Sequence, residues 1–142
     1  MMKRAFSLAL VLALAGSAVA APAVVRARVV AVEPAQETQI DPALADVGRQ
    51  LVSALGEKNA FKLVGGTNLA LSEGDVGGVP VGDGLSFEVT LKSQSRGSLS
   101  LELVLKDGAA VQSRMGVELG SKPFFANTRV SAGLRVVVFD RR

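Results

Sequence analysis

The chain has 142 residues, 49% hydrophobic and 20% charged, with a formal net charge of +3 and no cysteine, histidine, tryptophan or tyrosine. That is the composition of one ordinary folding unit. The missing residue types exclude a disulfide framework, thiolate or imidazole metal ligation, a cysteine nucleophile and a Ser-His-Asp triad, and no cofactor is expected.

Lys3 and Arg4 precede an apolar run from Ala5 to Ala15, and the small residues Gly16, Ser17, Ala18, Val19 and Ala20 follow. This reads as a secretory signal peptide over residues 1–20, cut after Ala18-Val19-Ala20. The run is shorter than the ~20 residues a membrane span needs. No later segment is long or apolar enough to serve as a transmembrane helix, and a lipoprotein signal would require a cysteine. Residues 21–142 are therefore expected to form a single exported domain, periplasmic or secreted. The leader, with the alanine, valine and arginine bias, points to a bacterial envelope. Removing residues 1–20 takes away Lys3 and Arg4 and no acid, leaving 14 basic against 13 acidic residues and a net charge of +1. The remaining bases are scattered singly and no aromatic platform accompanies them, which argues against nucleic-acid binding.

Val24 to Val32 places Arg26 and Arg28 on one side of an alternating segment and Val25, Ala27, Val29 and Ala31 on the other. The pattern predicts a strand at a sheet edge with one solvated side. Asp41-Pro42 supplies an N-cap and a first-turn proline for a helix running to about Leu55. Leu44, Val47, Leu51 and Leu55 form its apolar stripe, with Asp46, Arg49, Gln50 and Ser53 facing away and Gly56 as a stop. Ala60 to Val64 resumes a strand, Gly65-Gly66 marks a turn or bulge, and Leu69 and Leu71 continue the alternation. Ser72 to Gly84, rich in glycine and carrying Glu73, Asp75 and Asp83, is expected to be a mobile loop.

Leu85, Phe87, Val89 and Leu91 alternate with polar residues, as do Leu99, Leu101, Leu103 and Leu105, so two strands share one buried face. Ser93 to Ser98 reads as a longer hairpin loop. A three-residue loop, Lys106 to Gly108, is expected next, setting Leu103 opposite Val111 and Leu99 opposite Met115, with Gly108 left-handed beside a bulge. Phe124 to Ala126 forms a short apolar segment and Leu134 to Phe139 the last strand. The fold class is α+β: one amphipathic helix packed on a mostly antiparallel sheet of about six to seven strands, with Glu88, Lys92, Glu102, Lys106, Arg114 and Glu118 facing water. A β-sandwich with one helix is the alternative. An outer-membrane barrel is excluded by the missing aromatic girdles.

The acidic glycine-rich segment matches no calcium loop or nucleotide fingerprint, so no metal site is expected. Neither Ser-x-x-Lys nor Gly-x-Ser-x-Gly occurs, and catalytic residues are not identified. The candidate interaction residues are Arg26 and Arg28, suited to an anionic group or a partner carboxylate, together with Glu73, Asp75 and Asp83. Strand addition along Val24 to Val32 or Leu134 to Phe139 needs least from side chains and also accommodates a homo-oligomer.

The valine-rich strand, polar link, Asp-Pro-capped helix and Phe61-Lys62-Leu63-Val64 strand, residues 24–64, resemble the first strand-helix-strand unit of bacterial envelope assembly factors. The resemblance spans about a third of residues 21–142 and carries no functional residue over. The leading expectation is an exported envelope protein that binds an envelope protein complex as an accessory or assembly factor and is not an enzyme. One alternative is an apolar-ligand or lipid-binding protein with a cavity lined by Leu51, Leu55, Phe87 and Leu101. Another is a carboxylate-based hydrolase, which requires a raised pKa at Glu73, Asp75 or Asp83.

Overall fold

The computed structural model describes residues 21–142, and the signal-peptide reading lies outside the described residues. The elements in chain order are β1 (Ala23–Pro34), β2 (Gln39–Ile40), a 3-10 turn (Pro42–Leu44), α1 (Gly48–Leu55), β3 (Asn59–Leu71), β4 (Val76–Gly82), β5 (Leu85–Ser95), β6 (Ser98–Asp107), β7 (Ala110–Leu119), β8 (Phe124–Val130) and β9 (Gly133–Arg141). Strands dominate, arranged as a five-stranded sheet β2-β3-β1-β9-β8 and a four-stranded sheet β4-β5-β6-β7. All pairings are antiparallel except the short one between β2 and β3. The single sheet of about six to seven strands is thus replaced by nine strands in two sheets. Among the described residues, no helix is long and apolar enough to cross a membrane.

Alternation along the strands builds two cores. Val25, Ala27, Val29, Val137 and Phe139 of the five-stranded sheet join Phe87, Val89, Leu101 and Leu103 of the other sheet in one cluster. Phe87 and Phe139 meet edge to face across it, with ring centroids 6.0 Å apart, a favoured aromatic geometry. The intervening residues of β1 and β9, Val30, Val32, Val136 and Val138, share a second cluster with Phe61, Leu44, Val47 and Leu51. Because successive strand residues point to opposite faces, β1 and β9 are buried on both sides. Both are also interior to their sheet. The expectation that Val24 to Val32 or Leu134 to Phe139 offers a free edge is therefore corrected.

A bulge lets β3 serve both cores. Val29 faces Gly65 and Val30 faces Leu63, leaving Val64 as the extra residue. An inserted residue flips the facing of everything beyond it. Leu69 and Leu71 consequently enter the cluster between the sheets, whereas Phe61 and Leu63, also odd-numbered, enter the second. Gly66 allows the close approach, since a Cβ there would lie 2.9 Å from the Ala27 carbonyl oxygen.

Three further expectations change. Residues 72–84 are largely strand: Val79 and Val81 are buried core residues on β4, and Pro80 is accommodated because β4 is an edge strand. The β5–β6 connection is a two-residue Arg96-Gly97 turn, with Ser95 paired to Ser98. At the β6–β7 turn Gly108 is left-handed (φ 59°), but Asp107 pairs Ala110, Leu103 faces Met115 and Leu99 faces Leu119. That register aligns the apolar pairs Leu101–Val117 and Leu99–Leu119, which are all core residues.

The helix is shorter than its apolar stripe suggests. Asp41 Oδ1 accepts from the Ala43 N–H at 3.0 Å and Oδ2 from the Leu63 N–H at 3.0 Å. These bonds cap the 3-10 turn, tie it to β3 and lower the Asp41 pKa. Val47 N–H then bonds the Leu44 carbonyl in the tight i to i−3 pattern, and only from Leu51 N–H to the Val47 carbonyl is the helical i to i−4 spacing reached.

Candidate functional site

Arg26 and Arg28 occupy successive same-face positions of β1. Arg26 stands directly opposite Asp140 of β9, and Asp46 arrives from the connection between the 3-10 turn and α1. Arg26 Nε donates to Asp140 Oδ1 at 2.8 Å and its Nη2 to Asp140 Oδ2 at 2.6 Å. Arg28 Nη1 and Nη2 grip both Asp46 oxygens at 2.8 and 2.9 Å, and Nη2 also reaches Asp140 Oδ2 at 3.0 Å. A longer Arg26–Asp46 contact of 3.3 Å closes the ring. Hydrogen bonding to Asp140 raises the Arg26 pKa, and hydrogen bonding from Arg28 lowers that of Asp46.

Two cations and two anions leave the cluster neutral. Arg28 is only 7% exposed, and burial at that level requires paired charge. Its Nε is buried without a hydrogen-bond partner among the described residues. The sequence assigned Asp46 to the outward face of a long helix, whereas it turns back onto the sheet because the helix begins after it. The partner carboxylates of Arg26 and Arg28 come from this chain, so the cluster fastens the helix connection to β1 and β9. A cleft of about 480 Å3 beside it is lined by Asp46, Gln50, Ser121, Asp140, Arg141 and Arg142 among others.

The acidic candidates do not converge. Glu73 and Asp75 lie in the turn before β4: Asp75 Oδ2 accepts from Ser72 N–H at 2.9 Å and Glu73 Oε1 from Gln94 N–H at 3.3 Å. Asp83 lies beyond the opposite end of β4, left-handed (φ 55°), and accepts from the backbone N–H and the hydroxyl of Ser131 in the β8–β9 turn. Those bonds lower its pKa, the reverse of what a general acid requires. Each of the three carboxylates is thus engaged in fixing a turn. Among the described residues, no group of three or more acidic side chains is placed to hold a metal ion. The proposed lipid cavity is also divided: Leu51 and Leu55 belong to one core, Phe87 and Leu101 to the other.

The surface that sequence reasoning missed is the outer edge of β7. This ten-residue strand ends the four-stranded sheet. Its inward-facing residues are buried at Val117 and Leu119, but Met115 remains 38% exposed, and Val111, 46% exposed, lies beyond a register shift on the outer face opposite Lys106. Of the other edges, β3 carries a bulge and two glycines, β4 carries Pro80 with three glycines, and β8, although regular, is seven residues long against ten for β7. Such features discourage strand addition. The sequence signal was faint: Ser113 and Gly116 dilute an otherwise regular alternation, but an edge and a covered strand share the same period. Comparison with protein-family models, curated proteins and solved structures finds no match to this chain.

Proposed function

We propose that this chain is an exported envelope protein that acts by binding another protein chain, not by catalysis, and that it does so by accepting an extended strand along β7. The observation that carries the reading is that, among the described residues, no strand pairs with the outer side of β7, where the inward-facing Met115 stays 38% exposed. An added strand satisfies the unpaired backbone groups of β7 and covers Met115, so backbone hydrogen bonds supply affinity and alternate side chains supply specificity. The surface composition agrees: the outer face of that sheet carries Glu88–Lys106 and Glu102–Arg114 ion pairs, which keep it solvated.

The reading is tested by placing a photoactivatable residue at Met115, and separately at Glu88 on the outer face, in the full chain expressed in living cells. Adducts from position 115 that are absent from position 88, and that disappear when Ser113→Lys is added to set an inward-pointing charge on the edge, are expected. Both substituted side chains are already exposed, so folding is retained, which circular dichroism checks. Equal labelling from both positions, or none from position 115, overturns the proposal.

A further inference from the structure

The β7 edge has a self-complementary stretch. The ladder to β6 shifts between Leu105 and Lys106, with Leu105 facing Ser113 and Lys106 facing Val111, so Gln112 is a bulged residue. Strand addition needs regular backbone, and the regular part of β7 is Ser113 to Leu119. Its midpoint is Gly116. In an antiparallel pair of identical strands centred there, Arg114 of each copy faces Glu118 of the other, Met115 faces Val117, and Ser113 faces Leu119. Opposite charges across strands are favourable and like charges are not.

Neighbouring registers lack this match. Centring on Arg114 sets two guanidinium groups face to face, centring on Met115 leaves Arg114 against Gly116, and centring on Ser113 crosses the bulge. Position 116 has room for a second strand at the two-fold axis, because among the described residues nothing lies within 4 Å of where its Cβ would be. Within one chain Arg114 touches Glu102 at 3.6 Å and Glu118 accepts from Ser98 at 3.3 Å. Both contacts are peripheral and leave donors and acceptors available.

Resting on the strand-addition reading, we propose that the segment received by β7 is β7 of a second copy of this chain, paired antiparallel about Gly116. The two four-stranded sheets then become one continuous sheet, and the contact is isologous and closed.

Sedimentation of residues 21–142 across a concentration series is expected to show a monomer–dimer equilibrium. Arg114→Glu or Glu118→Arg alone should raise the dissociation constant about tenfold, because each creates two like-charge pairs across the two-fold axis. The double variant R114E/E118R should restore dimerisation, an outcome that loss of folding cannot mimic. The chain contains no cysteine, so Gly116→Cys should form a disulfide-linked dimer under mild oxidation, whereas Ser113→Cys should not. A monomer at every concentration overturns the proposal, as does a dimer indifferent to the charge reversals and to Gly116→Cys. If adducts from position 115 persist in cells while the purified chain is monomeric, only the identity of the partner has failed. If both are lost, the strand-addition reading has failed with it.

Discussion

Replacing Asp140 by asparagine keeps the shape of the β1–β9 clasp and removes one of its two negative charges. Asp140 is 15% exposed and receives three guanidinium bonds of 2.6 to 3.0 Å, with its Oδ2 bridging Arg26 and Arg28. After substitution, two adjacent guanidinium groups share a single carboxylate, that of Asp46, which is 52% exposed. A hydrogen bond to a charged group contributes about 1.5 to 3 kcal/mol, and breaking a fully buried pair costs about 3 to 5. Partial exposure of Arg26 and solvent screening at Asp46 reduce the sum, giving an expected loss of about 2 to 3 kcal/mol for Asp140→Asn. For Asp46→Asn the same reasoning gives about 1 kcal/mol, since that carboxylate is already half hydrated. Urea unfolding of residues 21–142 measures both, with the midpoint falling and the slope unchanged. A cost below about 0.5 kcal/mol for Asp140→Asn, or a larger cost for Asp46→Asn, would refute the view that burial sets the worth of each carboxylate here.

Acid should weaken the fold. The pKa of Asp46 is lowered from 3.8 by its bonds to Arg28, so its contribution is complete above the unfolded value and is lost as pH falls through the lower folded one. Stability measured from pH 6 downward should hold until about pH 4 and then decline, and Asp46→Asn should flatten that decline. Two glycines separate packing from chain entropy. Gly66→Ala, whose Cβ would press on the Ala27 carbonyl at 2.9 Å, should cost about 1 to 3 kcal/mol, whereas Gly78→Ala, with nothing within 4 Å, should be neutral or slightly stabilising. Equal costs at the two sites in thermal unfolding would contradict the close approach of β1 and β3. Phe139→Ala, at the fully buried edge-to-face contact with Phe87, should cost about 3 to 5 kcal/mol, read from the same unfolding curves, and a cost below about 1 kcal/mol would contradict its place between the sheets.

Alternation within an unbroken run can be read from the residues alone. The period-two runs of β5 and β6, the valine-rich β1, the cap at Asp41 and the left-handed Gly108 are legible because each depends on residues adjacent in the chain, whereas the division of the expected helix into a 3-10 turn and a short α1 is not. Arg26 and Arg28 are also legible as a same-face pair, but not as partners of Asp46 and Asp140, which lie 18 to 20 and 112 to 114 residues away. That β1 and β9 are interior, that Val64 bulges so that β3 supplies both cores, and that β7 ends its sheet among the described residues follows from long-range pairing. Alternation records the direction of a side chain and not the strand lying alongside, so a central strand and an edge strand can carry the same pattern. Which backbone groups remain unpaired, and so which surface can receive a partner, is settled by pairing between segments distant in sequence.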